Sequence, residues 1–517
     1  LMRMDQLQNL KDLVDFSAET YGEKTAIRYK KKKEIIDRSY LDLKRDSEAF
    51  SRTLLQRNLR GKHVALLGPT SYEWIVAYFG TVNSGGVAVP IDKELPAADI
   101  CDELNRADVE VLVYDSSYED IAEQVRSGCP QVMTYFEMQR AEHGEGTLSF
   151  HRCLEETAGT FDEPVDREKL SVIMYTSGTT GKSKGVMLNH RNLIDNVVHL
   201  EMGIEPGSAV LMTVLPIHHA YCFTCDILKG LQLGSTICIN DSLMRIAKNL
   251  QVFKPNTMLV VPMIAQVMYN QVCEAAKKSL VIPKKVIAKA AFGGNLRTIY
   301  CGGAYLNPEM IEKFRELNIN LVQGYGMTEC APCISRNSEQ CVKEESVGKL
   351  LPGCEAKVVD GEIWVKSSSV MLGYYKNEEA TKETLVDGWL RTGDLGYVDE
   401  DNFLYITGRK KNLIILSNGE NVSPEELENR ISEDPLVAEV LVYEEDGQIT
   451  AEIYPNEEYA AKKRIKDVQA ELSARVDAMN RALPMFKQVR RIKLRETEFE
   501  KTTSRTIKRH YGTASSK

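Results

Sequence analysis

Short apolar segments alternate with helical stretches along most of this chain, and this alternation constrains the fold more than any other feature. It appears first over residues 63–67, 72–82 and 86–89, where two apolar segments enclose a helical one. Further apolar segments lie at residues 209–215, 234–239, 257–261, 298–300 and 320–324. Parallel strands buried on both faces form such runs between covering helices, so the pattern predicts an α/β fold with mainly parallel sheets.

The pattern changes twice towards the carboxyl end. Residues 362–406 read as β-rich hairpins, with turns at Asp387-Gly388 and at residues 399–402. Beyond Gly408, Ser423-Pro424 is typical of a helix start, and strands are expected at residues 437–443 and 448–454. A final helix is expected to carry one apolar face, formed by Ile465, Val468, Leu472, Val476 and Met479.

A chain of 517 residues is too long for a single core, so two domains are expected. We expect a large domain over residues 1–408, and a small α+β domain over residues 411–517. The short charged segment between them has the character of a hinge.

Charge and composition exclude some classes of function. The net charge of −9 argues against non-specific nucleic-acid binding, which needs a basic surface. Four consecutive lysines at residues 30–33 are expected at a solvated hairpin tip. No apolar run is long enough to predict a membrane span. The first residues lack the apolar core of a signal peptide, so a cytoplasmic location with reduced thiols is expected.

Residues 175–185, YTSGTTGKSKG, follow the apolar segment 171–174 and precede a helix with an apolar face. Glycines let backbone N–H groups approach an anion, hydroxyls add donors, and Lys182 and Lys184 add positive charge. Thr176 stands where a Walker loop needs glycine, so the segment is not that motif. A surface linker rich in Gly and Ser is the alternative. The composition favours a loop that holds a polyphosphate.

Three further motifs follow in order, at domain-scale separations: GYGMTE at residues 324–329, RTGD at residues 391–394, and GRKK at residues 408–411. Together with the loop, they resemble those of the adenylate-forming superfamily: acyl-CoA synthetases, peptide-synthetase adenylation domains and firefly-type luciferases. The resemblance covers nearly the whole chain and is greatest to bacterial fatty-acid or aryl-acid ligases. It implies ATP, Mg²⁺ and coenzyme A as reactants or cofactors, and a small-molecule carboxylic acid as substrate.

The resemblance also implies roles for individual residues. The ATP-binding residues would be Thr176, Ser177, Gly178, Thr179, Thr180, Gly181, Lys182, Lys184, Gly324, Tyr325, Gly326, Met327, Asp394 and Arg409. Thr328 would bond the α-phosphate, and Glu329 would be the metal ligand, since Mg²⁺ prefers oxygen. Asp394 would accept hydrogen bonds from the ribose. Ser183 stands where the family usually has proline, which should loosen the loop without removing a donor.

The acyl substrate has an implied pocket. It would be lined by His219, Tyr221, Cys301, Gly302, Gly303, Ala304 and Gly324, with His219 also counted as catalytic. Peptide-synthetase relatives place an aspartate near this histidine to pair with a substrate amine. None occurs in residues 218–221, although Asp226 lies a few residues on, so an α-amino acid is not the expected substrate.

Two CxxC pairs, Cys222/Cys225 and Cys330/Cys333, lie beside the segments assigned to this pocket. A four-cysteine zinc site is conceivable, but their wide separation favours chance. Cysteine would then act as a small apolar lining residue.

The carboxyl-terminal region departs from the family pattern. The family's last motif carries a lysine that bridges the carboxylate and the α-phosphate, and gap-free alignment places Thr506 at that catalytic position. Arg505, Lys508 or Lys501 would have to substitute, or adenylation is impaired, or the threonine is an engineered substitution. The resemblance further implies a hinge at Lys411 and a thiol channel past Gly419.

Three hypotheses remain from the sequence. The first is a ligase that forms an acyl-adenylate from ATP and transfers the acyl group to coenzyme A. The second replaces coenzyme A by an acyl-carrier protein. The third is a catalytically impaired protein that binds a nucleotide or acyl-adenylate, which the threonine at position 506 makes credible.

Overall fold

A computed structural model describes residues 2–176, 182–502 and 505–509. Its α-helices are α1 (Leu10–Tyr21), α2 (Tyr40–Gln56), α3 (Tyr72–Val82), α4 (Ala97–Arg106), α5 (Glu119–Gly128), α6 (Phe150–Glu156), α7 (His190–His199), α8 (Lys229–Gln232), α9 (Ile246–Phe253), α10 (Pro262–Ala276), α11 (Lys284–Ala291), α12 (Pro308–Glu316), α13 (Glu378–Thr384), α14 (Pro424–Ser432), α15 (Glu457–Lys462) and α16 (Val468–Asn480). A π-helix at Tyr221–Leu228 leads directly into α8. No helix among these residues combines the length and the apolar character needed to cross a membrane.

The strands are β1 (Thr25–Lys31), β2 (Glu34–Ser39), β3 (His63–Leu67), β4 (Val87–Ile91), β5 (Val111–Tyr114), β6 (Thr134–Glu137), β7 (Leu148–Ser149), β8 (Leu170–Tyr175), β9 (Gly185–Asn189), β10 (Val210–Thr213), β11 (Thr236–Ile239), β12 (Thr257–Val260), β13 (Thr298–Cys301), β14 (Asn320–Gly326), β15 (Cys333–Arg336), β16 (Lys349–Leu350), β17 (Glu355–Val359), β18 (Glu362–Lys366), β19 (Gly373–Tyr374), β20 (Leu385–Val386), β21 (Trp389–Val398), β22 (Leu404–Arg409), β23 (Ile414–Ile415), β24 (Asn421–Val422), β25 (Val437–Glu445), β26 (Gln448–Pro455) and β27 (Arg491–Leu494).

Two large sheets organise the first part of the chain, as the alternation predicted. One has the order β19-β9-β8-β4-β3-β5-β6-β7, with parallel pairing from β8 through to β7. The other has the order β16-β15-β14-β13-β12-β10-β11-β1-β2, parallel from β14 through to β1. Residues of β4, β5 and β12 are buried throughout, as expected for strands covered by helices on both faces.

The turns of the β-rich region follow the local sequence. Asp387 and Gly388 both adopt positive φ between β20 and β21, the conformation that a two-residue hairpin turn requires. Asn402 also has positive φ in the turn that joins β21 to β22. Lys32 has positive φ at the tip of the β1–β2 hairpin, and Lys31, Lys32 and Lys33 are exposed, which confirms the solvated tip. Strand β1 itself extends through Lys31.

The last helix begins later than its sequence pattern indicated. Helix α16 starts at Val468, because the Asp467 side chain accepts a hydrogen bond from the N–H of Ala470 at 3.0 Å and caps it. Ile465 therefore lies outside the helix, yet it packs against the same core as Leu472 and Val476. The predicted helix start at Ser423 is confirmed, with Pro424 in the first turn of α14.

Two compact units divide the chain. Of the described residues, the first contains 2–176, 182–355 and 365–390, and it holds both large sheets and their helices. The second contains the described residues of 356–364 and 391–509, and it has its own core around β25, β26 and α14. The domain boundary expected between residues 408 and 411 stays a prediction.

Candidate nucleotide and acyl site

Residues 175–185, which we call the phosphate-type loop, begin at the end of β8 and end at the start of β9. Strands β8 and β9 pair antiparallel up to Tyr175 and Gly185. The N–H of Thr176 donates to the carbonyl oxygen of Lys184 at 3.0 Å, and the Thr176 hydroxyl accepts from the N–H of Lys184 at 3.3 Å. These two hydrogen bonds between Thr176 and Lys184 mark the point where the loop leaves the sheet. The predicted ligands Ser177, Gly178, Thr179, Thr180 and Gly181 lie outside the described residues.

Helix α4 holds the end of this loop through Ser183. The Arg106 guanidinium donates to the Ser183 carbonyl at 2.6 Å and to its hydroxyl at 3.0 Å. That hydroxyl in turn donates to the Glu103 carboxyl at 3.0 Å. The Ser183 side chain thus has two partners that a proline could not have, while the expectation that serine loosens the loop stays a prediction. Lys182 is exposed, with its Nζ 3.8 Å from Asp102.

Burial dominates the electrostatics of Glu103. It raises the pKa of this carboxyl from an ordinary 4.5 to about 7, although Ser183 and Arg106 oppose the shift. Arg106 also lies over the Tyr175 ring, 4.9 Å from its centre. The base of the loop is thus joined to α4 by contacts that include one carboxyl group with a pKa near 7.

Tyr374 connects two of the predicted motifs. Its hydroxyl donates to Glu329 Oε2 at 3.1 Å, and the Lys184 ammonium lies over its ring, 5.2 Å from the centre. Tyr374 is buried on β19, which pairs with β9 beside the loop. A cation and a carboxylate from separate motifs are therefore brought together around one aromatic ring.

Close backbone packing explains why β14 ends in a glycine, Gly326. A Cβ atom on Gly326 would lie 2.2 Å from the carbonyl oxygen of Pro332, so only glycine fits there. The N–H of Met327 donates to that same oxygen at 2.9 Å. Thr328 and Glu329 follow in a short 3₁₀-helix. The predicted ligands thus lie at the carboxyl end of a parallel strand, where α/β proteins place their sites.

The predicted acyl-pocket residues meet around Tyr221. A Cβ atom on Gly302 would lie 3.4 Å from the Tyr221 ring and 3.4 Å from the carbonyl oxygen of Gly324. The Tyr221 hydroxyl reaches the carbonyl oxygens of Val260 and Tyr300, at 3.3 and 3.1 Å. The side chain therefore crosses the carboxyl ends of β12 and β13. Of the remaining predicted lining residues, Cys301 is buried, Gly303 has positive φ, and Ala304 is exposed.

His219 is a neutral imidazole in this environment. Burial lowers its pKa below the ordinary value. Its Nδ1 accepts from the N–H of Tyr221 at 3.4 Å, which assigns the ring proton to Nε2. The adjacent His218 lies 3.7 Å from Asp92, yet burial lowers its pKa to about 4, so this contact joins a neutral ring to a carboxylate. His219 can orient a bound group by hydrogen bonding, and it brings no positive charge.

The π-helix Tyr221–Leu228 also carries a buried carboxyl group, that of Asp226. Asp226 has no hydrogen-bond partner for either carboxyl oxygen among the described residues, and burial raises its pKa to about 8. Burial therefore favours the protonated form of this carboxyl.

The two CxxC pairs touch at one point. The sulfur atoms of Cys225 and Cys333 lie 3.2 Å apart, whereas Cys222 contacts Thr213. Within the described ranges, the groups of side chains close enough to share a metal ion do not include these cysteines.

In the second unit, Asp394 and Arg409 face each other on paired strands. They are partners in the β21–β22 register, and Arg409 Nε lies 3.4 Å from Asp394 Oδ1. Glu362, which the sequence reading did not single out, organises the neighbouring motif residues. It accepts from the Gly393 N–H at 2.9 Å and contacts Arg391 and Lys410 at 3.1 and 3.3 Å. Burial opposes its ionisation, but the hydrogen bonds from Arg391 and Gly393 outweigh burial and lower its pKa.

The predicted hinge and thiol-channel residues lie on irregular segments. Lys411 is in a single 3₁₀ turn that precedes β23. Gly419 has a φ of 84° in the tight turn between β23 and β24, where its N–H donates to the Leu416 carbonyl at 2.9 Å. A Cβ atom at Gly419 would meet nothing within 4 Å, so the backbone on that side is open.

Thr506 is exposed in a small bridged turn. It exchanges two hydrogen bonds with Thr502, one from the N–H of Thr502 at 2.8 Å and one to its hydroxyl at 3.2 Å. Arg505 adopts a φ of 66°, a left-handed backbone that glycine favours.

The three basic side chains considered as substitutes differ in their contacts. Lys501 lies 2.6 Å from Glu439, and Lys508 lies 2.7 Å from Glu500. Among the described residues, no ion pair involves Arg505. Within the described ranges, Arg505 is therefore the one of these three side chains without an ion pair to break before it could bind a phosphate.

Comparison with known proteins agrees with this geometry. Residues 14–375 match the AMP-binding enzyme family, and residues 411–514 match the AMP-binding enzyme C-terminal domain. The long-chain-fatty-acid–CoA ligase of Salmonella typhimurium is 28% identical over 488 residues, which cover 84% of this chain and 83% of the relative.

Two solved structures show the same fold. The anthranilate CoA ligase AuaEII in complex with anthranoyl-AMP superposes with a TM-score of 0.85 at 22% identity, covering 98% of this chain and 97% of that one. The O-succinylbenzoate coenzyme A synthetase of Bacillus subtilis, with ATP and magnesium ion, has a TM-score of 0.75 at 24% identity, covering 96% and 98%.

Proposed function

This chain belongs to the AMP-binding enzyme family and is an AMP-forming acid–thiol ligase, and on that premise we propose how its residues divide the work. The reaction activates a carboxylic acid with ATP and transfers the acyl group to coenzyme A. Attack of the carboxylate on the α-phosphate breaks the bond to pyrophosphate and gives an acyl-adenylate. The thiol then attacks the acyl carbon, forms the thioester and releases AMP.

The observation that carries this proposal is that Tyr374 contacts both groups, with Glu329 at its hydroxyl and Lys184 over its ring. The lysine would neutralise phosphate oxygens, while the carboxylate would hold Mg²⁺ with help from the Thr328 hydroxyl. Oxygen donors of this kind suit that ion. When bound, Mg²⁺ supplies positive charge against the developing charge of the phosphates.

The acyl side supports binding and orientation of the acid. Neutral His219 would donate its Nε2 proton to a carboxylate oxygen and fix the angle of attack. Tyr221 and the glycines Gly302 and Gly324 would form the wall against which the acyl group lies. Adenine would stack on Tyr325, and the ribose would bond to Asp394.

We infer a fatty or aryl acid as the substrate. Residues 218–221, beside the predicted carboxylate site, contain no acidic side chain to pair with an α-ammonium group, which supports an acid without one. The choice between the two acid classes is tested by measuring AMP release with a panel of aliphatic and aryl acids.

The enzymatic test is exchange of labelled pyrophosphate into ATP in the presence of an accepted acid. Glu329→Gln should abolish most of the exchange, while Glu355→Gln, a surface control, should leave it unchanged. Equal exchange by the two variants would overturn the assigned role of Glu329. Absence of exchange in the parent chain would favour the catalytically impaired alternative.

Coenzyme A is proposed as the acceptor, and an acyl-carrier protein is the second candidate. Titration of each acceptor against a supplied acyl-adenylate distinguishes them. Saturation by coenzyme A at micromolar to millimolar concentrations is the expected result. Acylation of the carrier protein alone would contradict it.

A further inference from the structure

The loop between α10 and α11 presents an unusual surface. We refer to residues 277–285 as the lysine-flanked loop, because Lys277 and Lys278 precede its apolar tip and Lys284 and Lys285 follow it. At the tip, Leu280 is 101% exposed, Val281 89% and Ile282 49%. Isolated exposed apolar side chains are ordinary, but three in succession at one tip mark an interaction surface.

The sequence around this loop is basic, whereas the chain as a whole carries a net negative charge. Between Glu274 and Glu309 the sequence contains no acidic residue, although the chain as a whole has a net charge of −9. The basic residues in that stretch are Lys277, Lys278, Lys284, Lys285, Lys289 and Arg297. Lys277 pairs with Glu274 at 2.6 Å. Helix α11 adds exposed Val286 next to the loop.

Four backbone N–H groups around the tip are paired within the loop and the end of α10. The Ser279 hydroxyl accepts from the N–H groups of Val281 and Ile282, at 3.4 and 3.3 Å. The N–H groups of Lys278 and Ser279 donate to carbonyls in the last turn of α10, at 3.2 and 3.3 Å. A segment that enters an apolar phase must not leave backbone donors unpaired, and these four donors are paired.

We propose that the lysine-flanked loop docks this chain on an anionic lipid surface. Leu280 and Val281 enter the boundary between headgroups and acyl chains, and the lysines reach outward to the phosphates. Polybasic segments bind anionic leaflets in this way, and apolar side chains add to the binding. A protruding tip suits penetration of a fluid interface better than docking against a folded protein, which requires a complementary flat or concave surface.

The loop is far from the acyl pocket. Helix α10 starts directly after Val261, whose Cγ1 would lie 3.3 Å from a Cβ atom on Gly303. Its 15 residues place the loop about 22 Å further along the helix axis. The proposal is therefore independent of the assigned catalytic roles, and changes in the loop should leave ligation of a soluble acid intact.

The test is sedimentation of the full chain with lipid vesicles. The parent should bind vesicles that contain phosphatidylglycerol, should bind pure phosphatidylcholine much more weakly, and should dissociate as salt is raised. The double variant Leu280→Asp/Val281→Asp should lower the partition coefficient at least tenfold. Lys278→Gln and Lys285→Gln should each lower it about fivefold.

Matched controls use exposed methionines elsewhere. Met133 is 84% exposed and Met244 96% exposed, outside the lysine-flanked loop. Met133→Asp and Met244→Asp should bind vesicles as the parent does. Circular dichroism and ligation of a soluble acid should be unchanged in every variant.

Three results would overturn the proposal. The first is failure of the parent to bind phosphatidylglycerol vesicles, and the second is equal binding by the Leu280→Asp/Val281→Asp variant. The third is a change of oligomeric state, or loss of binding to an acidic carrier protein, in that variant while vesicle binding is retained. That last result would assign the loop to a protein interface.

Discussion

At the scale of single residues, Tyr374 shows how a side chain outside the motifs can hold two of them in place. Its hydroxyl donates to Glu329 and its ring lies under the Lys184 ammonium. The neighbouring Tyr375 has a different partner, since its hydroxyl lies 2.5 Å from Asp108. Adjacent tyrosines therefore provide a test and its control.

Tyr374→Phe should keep the ring under Lys184 and remove only the hydrogen bond to Glu329. A hydrogen bond to a charged group contributes roughly 1.5–3 kcal/mol, so we expect adenylation to be slower by about ten- to a hundredfold and to require more Mg²⁺. Pyrophosphate release measured over a range of Mg²⁺ concentrations checks this. Tyr375→Phe should have little effect on that curve, and a similar loss in both variants would argue for a general packing effect.

Thr506 poses a second question at this scale. Restoring a lysine there would place a positive charge at the position that the family motif uses during adenylation. Thr506→Lys should raise the rate of pyrophosphate release by a factor on the order of 10²–10³. The rate at which supplied acyl-adenylate reacts with thiol should stay nearly unchanged.

Alanine variants of the neighbouring basic residues serve as controls for Thr506→Lys. If the parent already adenylates quickly, Arg505→Ala should slow it more than Lys501→Ala or Lys508→Ala, because the two lysines are paired with glutamates. An unchanged rate in Arg505→Ala would remove Arg505 as the substitute.

At the scale of elements, α4 and the phosphate-type loop are joined through Ser183. The contacts run from Arg106 and Glu103 at the end of the helix to one serine. The charged groups that act on Glu103 are Arg106, which stabilises its ionised form, and Asp92 and Asp102, which oppose it. This link makes the stability of the region depend on pH.

The sign follows from the raised pKa of Glu103. With a folded-state pKa of about 7 against an ordinary 4.5, the folded chain holds this proton more tightly than the unfolded chain. The free energy of unfolding should therefore fall as pH rises from about 4.5 through about 7. Glu103→Gln keeps an acceptor for Ser183 and should stabilise the protein at pH 8 by on the order of 2 kcal/mol, with a smaller effect at pH 5.

Thermal unfolding at the two pH values checks the Glu103 prediction. Glu123→Gln on the exposed side of α5 is the matched control, and it should show no such pH-dependent gain. An equal stabilisation of Glu103→Gln at both pH values would mean that packing, and not ionisation, governs this position.

At the scale of the whole molecule, the proposed function needs one set of residues during adenylation and another during thioester formation. Lys411 is in a short 3₁₀ turn at the start of the matched C-terminal domain, where a change in backbone torsion would redirect the chain. We propose that this residue is the hinge.

Lys411→Pro should fix φ at this position and separate the two half-reactions. One half-reaction should persist near the parental rate and the other should fall strongly, measured as pyrophosphate exchange and as thiolysis of supplied acyl-adenylate. Lys411→Ala retains the rotation and should preserve both. Uniform loss of both activities in a folded Lys411→Pro variant would count against a hinge.

Local patterns were enough to predict the parallel sheets, the Asp387-Gly388 turn and the start of α14, because strand period, turn chemistry and helix capping act over a few residues. The order of the motifs likewise indicated which family the chain belongs to. The same reasoning placed the start of α16 too early and did not predict the partners of Ser183, because a helix cap and a contact with another helix decide these features.

The tertiary structure alone decided which distant side chains meet. Tyr374 reaches Lys184 and Glu329 because β19 pairs with β9 at the edge of its sheet. The order of strands in a sheet cannot be predicted from the periodicity of a short stretch of sequence. Arg106 meets Ser183, and Cys225 meets Cys333, for similar reasons. Such contacts depend on packing between elements far apart in the chain, so sequence specifies their chemistry and the fold specifies their distance.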